Sequence, residues 1–204
     1  LSYVFDWAII ILAAVVGGVF SIITPNKRPF SVVNPEISFP YVVKEKISTA
    51  TLIICGLVAP GVIIFAVSLL LVPGPTVPKG VPKALVWRRK LWEWHTGWLG
   101  LSLSLAAAFL ITDGMKNLFG KPRPDLLSRC NPDLANVPRY AVEGFNLVTA
   151  AICQQTDLSL LNDGFRSFPS GHSSFSAAGL IYLSLFLSSK LAITIPFLAP
   201  SSYS

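Results

Sequence analysis

Two short stretches hold the residues that could do chemistry. The first is Lys116-Asn-Leu-Phe-Gly-Lys-Pro-Arg123-Pro124, and the second is Phe168-Pro169-Ser170-Gly171-His172-Ser173-Ser174. A lysine, an arginine, a glycine at a helix start and a histidine form an inventory suited to a phosphate. Arg123 can grip phosphate oxygens in a bidentate fork, while Lys116 supplies a point charge. Pro124 restricts Arg123 to an extended backbone, which aims the side chain away from the helix line. Ser170 is a candidate N-cap, and Gly171 lets the backbone approach an anion at the positive end of the following helix. His172 alone in this set has a pKa suited to proton transfer near neutrality, which makes it the candidate acid.

Each piece also has a plain reading. Lys116 and Arg123 taken singly are ordinary helix-flanking charges. Pro-Ser-Gly is common vocabulary before a helix. From average residue usage, however, Lys-x6-Arg-Pro arises by chance in a few per cent of chains this long and Pro-Ser-Gly-His in roughly one in a thousand. Both occur here, at the two ends of one polar segment. If the helices flanking that segment are neighbours, its ends meet at one membrane surface.

The elements that must position these residues are apolar helices. The chain has 204 residues, of which 52% are hydrophobic and 13% charged, with a mean hydropathy of +0.62. That composition disfavours a water-soluble domain, a disordered tail and a disulfide-rich secreted module. The net charge of +6 comes with no basic helix, zinc-finger spacing or RNA-binding motif, so nucleic acid is not the expected partner. Charge-free runs predict membrane-spanning helices at about residues 7–24, 52–72, 94–112 and 172–189, the second tolerating Pro60 and Gly61 as a kink. Each needs about 20 residues to cross the hydrocarbon core. A fifth apolar run begins after Lys190 and is too short to span. The chain starts on Leu1 and stops within that run, which predicts a fragment. The first run has no basic flank before it, and a retained helix is expected there instead of a cleaved signal.

Lysine and arginine placement predicts topology. The connection from Pro73 to Gly97 carries Lys79, Lys83, Arg88, Arg89 and Lys90 and is expected to face the cytoplasm. The connection between the first two spans holds Lys27, Arg28, Lys44 and Lys46, so the margin is a single charge. The segment 115–171 then falls on the lumenal or outer side. Trp87, Trp92, Trp94 and Trp98 suit an interfacial belt, and His95 within it reads as an interface residue. Asp113, three residues before Lys116, either orients that lysine or marks the helix end, the second being the plainer reading. A Cys130–Cys153 disulfide is permitted on the lumenal side and stands level with two free thiols. The stretch 126–163 shows no clear periodicity; covering the site or selecting what binds there are its open roles.

At the two motifs the sequence resembles the type 2 phosphatidic acid phosphatase family of membrane lipid phosphatases, which share a fold with bacterial acid phosphatases and vanadium haloperoxidases. The family's first two motifs, Lys-x6-Arg-Pro and Pro-Ser-Gly-His, are both present without a mismatch. The wording TDGMKNLFGKPRPDLLSRCNPD looks most like the fungal diacylglycerol-pyrophosphate and lipid phosphate phosphatase branch. The resemblance implies an all-α polytopic helix bundle, here about four complete transmembrane helices and part of a fifth. It also implies a metal-independent enzyme without cofactor that takes phosphate from lipids such as phosphatidate, lysophosphatidate or diacylglycerol pyrophosphate. By that resemblance Lys116 and Arg123 bind the phosphoryl group, Ser170 and Gly171 complete the cradle, and His172 protonates the leaving lipid oxygen.

One departure is as informative. The family's third motif, Ser-Arg-x5-His-x3-Asp, supplies the histidine that becomes phosphorylated. Here the last Arg is Arg166, the last Asp is Asp163 and the last His is His172, so these residues contain no such motif. Truncation is the economical expectation, with a catalytic parent and no turnover by the chain itself; activity above a His172→Ala control would count against it. A phosphatase for another membrane phosphate, such as a polyprenyl diphosphate or a sphingoid phosphate, and a non-catalytic anion-binding membrane protein are the competing readings. The reading frame beyond Ser204 separates the last from the others. A transporter is disfavoured because the charges lie at helix ends.

Overall fold

Among the described residues four long helical rods form along predicted apolar runs, and in each the boundaries follow from local chemistry. The computed structural model describes residues 2–43, 47–72 and 80–191. Helix α1 is Ser2–Ile22. The second rod, Thr49–Leu70, consists of α2 (Thr49–Ile53), a π-helical turn (Ile54–Val58) and α3 (Ala59–Leu70). Ser48 caps it, its Oγ accepting from the Thr51 N–H at 3.2 Å. The wide turn sits just before Pro60, whose ring would crowd the carbonyl of Gly56 in a regular α-helix. The expected kink is thus absorbed as one local turn.

Helix α4, Lys83–Phe119, has 37 residues, about 55 Å at 1.5 Å per residue and well beyond a hydrocarbon core of about 30 Å. The span expected at 94–112 lies inside it. Its first turns, expected as part of a connecting loop, are helical from Lys83 onward, because Arg, Lys and Trp are compatible with an interfacial helix. Residues 73–79 of that connection, with Lys79, lie outside the described residues, as do Lys44, Lys46 and the apolar run from 192. The helix ends at Gly120, whose φ of +53° makes the left-handed C-terminal stop typical of glycine, with its N–H bonded to the Lys116 carbonyl at 3.0 Å. Lys116 therefore belongs to the last turn of α4 and does not follow the helix. Short helices α5 (Leu126–Cys130), α6 (Val137–Tyr140) and α7 (Leu158–Asp163) come next, and then α8 (Gly171–Lys190).

Among the described residues no strand forms, and the three stretches Tyr3–Ile22, Thr49–Leu70 and Lys83–Phe119 are long and apolar enough to cross a membrane. Helix α8 has the length, with 20 residues, but its serines dilute the apolar content. Broadly exposed Val4, Phe5, Ile9, Ile11 and Leu12 on α1 are what lipid, not water, would cover.

The chain forms two compact units. One comprises Leu1–Ile11, Ile47–Ala108 and Phe175–Ser204. Its core is Ile64, Leu101, Leu105, Leu183 and Phe186, from α3, α4 and α8. Small residues let these helices approach: a Cβ on Gly179 would lie 2.0 Å from the Gly56 carbonyl, and one on Gly61 would lie 2.6 Å from the Trp98 ring. Trp7 Nε1 donates to His95 Nε2 at 3.0 Å, so His95 serves α1–α4 packing.

The other unit comprises Leu12–Lys46 and Phe109–Ser174. Gly17 brings α1 against α4: a Cβ there would meet the Phe109 ring at 2.7 Å. The stretch after α1 packs with the polar segment: Phe30 and Val148 exchange backbone hydrogen bonds at 3.0 and 2.8 Å, and Phe39 N–H reaches the Pro124 carbonyl at 3.0 Å. Phe30, Leu126, Val148, Ile152, Leu161 and Phe165 form its buried core, each worth about 1.5–3 kcal/mol when fully buried. Cys130 and Cys153 are disulfide-bonded, which decides between the bridge and the free thiols. The stretch without periodicity is a set of short helices and turns around this core, each too short to show a period.

Candidate functional site

The two motifs share the second unit, and the chain positions them by identifiable local devices. Gly120 is irreplaceable in conformation as well as in space, since a Cβ there would lie 1.6 Å from the Asn26 carbonyl. Asn26 N–H in turn bonds the Asn117 carbonyl at 2.9 Å, and the Asn117 side chain donates to the Phe20 carbonyl. These contacts fasten the end of α4 to the chain leaving α1. Beyond Gly120, Arg123 N–H donates to the Gly164 carbonyl at 2.8 Å and Ser167 N–H to the Lys121 carbonyl at 3.1 Å. The first motif thus runs beside the stretch that leads into the second.

Ser170 begins α8: its carbonyl accepts from Ser174 N–H at 3.0 Å, and its Oγ accepts from Ser173 N–H at 3.4 Å. The Oγ bond is long, a weak cap at a helix start whose positive end suits an anion. Thr112 Oγ1 bonds Ser174 Oγ at 2.8 Å, joining α4 to the first turns of α8. Across this junction the Lys116 ammonium lies 3.0 Å from where a Cβ on Gly171 would stand. A side chain at residue 171 would press on the lysine tip.

Lys116 Nζ is paired with Asp113 Oδ1 at 2.9 Å, both side chains mostly covered at 18% and 12% exposed. Asp113 therefore orients the lysine, where the plainer expectation had it only marking the helix end; the helix runs on past Lys116 and keeps both residues on one face. A lysine ammonium beside the positive end of a 20-residue helix is an unfavourable pairing by itself. One carboxylate offsets it, and an anion lodged between the two would complete it.

Arg123 sits on the loop after α4, its NH2 donating to Asp163 Oδ1 at 2.8 Å. Asp163 Oδ2 accepts from Arg129 NH1 at 2.8 Å, and Arg129 Nε reaches Asp125 Oδ2 at 3.0 Å. Of the expected site residues, Lys116 and Gly171 abut, Ser170 and His172 flank Gly171 in the chain, and Arg123 is tied to the end of α7. Arg129, Asp163 and Asp125 were not expected at the site. The Asp125-x3-Arg129 spacing on a short helix was the only hint in the sequence; Asp163 joins them through tertiary structure alone. Groups of three or more His, Cys, Asp or Glu side chains able to hold a metal do not occur among the described residues.

The sequence model of the PAP2 superfamily matches residues 97–203, just over half of the chain and including both motifs. The chain belongs to the PAP2 superfamily, and with its apolar helices it is a membrane protein. It is 32% identical over 178 residues to diacylglycerol pyrophosphate phosphatase 1 of Saccharomyces cerevisiae, covering 85% of this chain and 54% of that protein. It is 32% identical over 187 residues to a probable diacylglycerol pyrophosphate phosphatase 1 of Schizosaccharomyces pombe, covering 91% and 59%. Lipid phosphate phosphatase 2 of Arabidopsis thaliana is 38% identical over 106 residues, covering 52% and 34%. The chain spans about half the length of the curated relatives it matches. No solved structure matches it.

Proposed function

We propose that this chain carries the phosphate-holding part of a lipid phosphate phosphatase acting on phosphatidate, lysophosphatidate or diacylglycerol pyrophosphate. The observation that supports it most is the Lys116 ammonium set against the Gly171 position at the start of α8, two positive groups that a phosphoryl anion would reconcile. Lys116 and Arg123 bind the phosphoryl oxygens and Ser170 and Gly171 complete the cradle; in a parent that supplies the attacking nucleophile, His172 gives its proton to the lipid oxygen as the P–O bond breaks and the phosphoryl group passes to that nucleophile. The names of the relatives supply the lipid phosphate as substrate class. The attacking nucleophile of the family's third motif is not among these 204 residues, so the chain alone binds and does not turn over. The site faces the lumenal or outer side, and Lys190 falls on the cytoplasmic side.

The test is a titration of the chain in lipid nanodiscs with dioctanoyl phosphatidate and, separately, dioctanoylglycerol. The phosphatidate binds saturably, the glycerolipid does not, and Lys116→Ala weakens binding by about ten-fold or more, the scale of one lost charge-assisted hydrogen bond. Equal binding of both lipids, or an unaffected Lys116→Ala variant, refutes the reading.

A further inference from the structure

Asp163, the last residue of α7, uses both carboxylate oxygens on arginines: Oδ1 on Arg123 and Oδ2 on Arg129, each at 2.8 Å. The two arginines differ in kind. Arg129 is buried, its side chain 6% exposed, and it is held from every side. Asp125 takes its Nε at 3.0 Å, and its guanidinium carbon lies 4.5 Å from the centre of the Tyr41 ring. Gln155 donates to its carbonyl at 3.3 Å, and the next residue, Cys130, is disulfide-bonded to Cys153. Arg129 is therefore a buried, fixed post.

Arg123 is 27% exposed and gives Asp163 one of its five guanidinium N–H groups. Its backbone N–H is bonded to Gly164, so main chain and side chain are clamped to the same two-residue turn. A long arginine side chain loses much rotamer freedom when it is ordered. Ordering Arg123 in advance removes that cost from phosphate binding.

We infer that Asp163 is a positioning residue for Arg123, with the buried Arg129 behind it as its anchor. The inference rests on the reading of Arg123 as a phosphoryl-binding residue. The bland account makes Asp163 a counter-charge for Arg129 alone. Asp125 already fills that role, however, and the second oxygen of Asp163 turns to the half-buried Arg123.

A double-mutant cycle separates the two accounts, with dioctanoyl phosphatidate titrated into the chain in nanodiscs. Asp163→Asn lowers affinity about three- to ten-fold in the wild-type background and has no further effect in the Arg123→Ala background, the signature of coupled residues. A merely structural role predicts the same loss in both backgrounds and overturns the inference. So does an unchanged affinity, and so does tighter binding, which would make Asp163 a competitor for Arg123. Wild-type binding that Arg123→Ala leaves untouched refutes the role of Arg123, and with it the positioning role. Non-reducing mass spectrometry of the Cys130–Cys153 bridge reports folding. If Asp163→Asn fails to form it, Asp163→Glu enters the same cycle, since it keeps Arg129 neutralised while shifting the carboxylate by one methylene.

Discussion

Replacing Gly120 by alanine tests how the first motif is held. The residue has φ of +53°, and an alanine in the left-handed region costs about 1–2 kcal/mol by conformation alone. In addition, the new Cβ would stand 1.6 Å from the Asn26 carbonyl oxygen, so the chain must separate by about 1.5–2 Å to reach ordinary contact. Such a shift breaks the Asn26-to-Asn117 hydrogen bond of 2.9 Å and strains the Gly120-to-Lys116 bond of 3.0 Å, at about 0.5–1.5 kcal/mol each. The sum is about 2–5 kcal/mol. Gly144 is the internal control: its φ is +78° and nothing lies within 4 Å of its Cβ position, so Gly144→Ala incurs only the conformational cost of about 1–2 kcal/mol. Urea unfolding in detergent micelles, followed by Trp fluorescence and circular dichroism, measures both. A Gly120→Ala variant no less stable than Gly144→Ala would refute the close approach to Asn26.

Other substitutions probe separate links. Gly171→Ala places a Cβ 3.0 Å from the Lys116 ammonium; the lysine tip can yield, so phosphatidate affinity falls about three- to ten-fold with urea stability unchanged. Gly179→Ala puts a Cβ 2.0 Å from the Gly56 carbonyl and lowers stability by about 1–3 kcal/mol through overpacking, read from the urea midpoint. Cys130→Ser opens a disulfide across a sequence separation of 23 and costs about 3 kcal/mol, and dithiothreitol should lower the wild-type midpoint to match.

The legible part of this molecule was the part with short-range signals. Charge-free runs coincide with four long helical rods among the described residues, to within a few residues at most ends, and three of those rods are long and apolar enough to cross a membrane. The start of α4 lies earlier than the run because Arg88, Arg89, Lys90 and Glu93 interrupt the run without interrupting the helix. Its end was misplaced by reading Lys116 as a boundary, when Gly120 and Pro122 were the stop signal. The motif residues stand out by type and spacing, and the structure sets the Lys116 ammonium beside Gly171. What stayed hidden was non-local: Phe30 pairing with Val148, Asn26 packing on Gly120, and Asp163 linking two arginines 34 and 40 positions away. No periodicity encodes contacts of that separation.

The central claim is that one phosphoryl group meets Lys116, Arg123 and the start of α8 together. A crystal structure of the chain with dioctanoyl phosphatidate tests it most directly. The account predicts the phosphate oxygens within hydrogen-bond distance of Lys116 Nζ, of the Arg123 guanidinium and of the Ser170 to His172 turn. A phosphate seated elsewhere, or one touching Lys116 while Arg123 stays turned away, would contradict it.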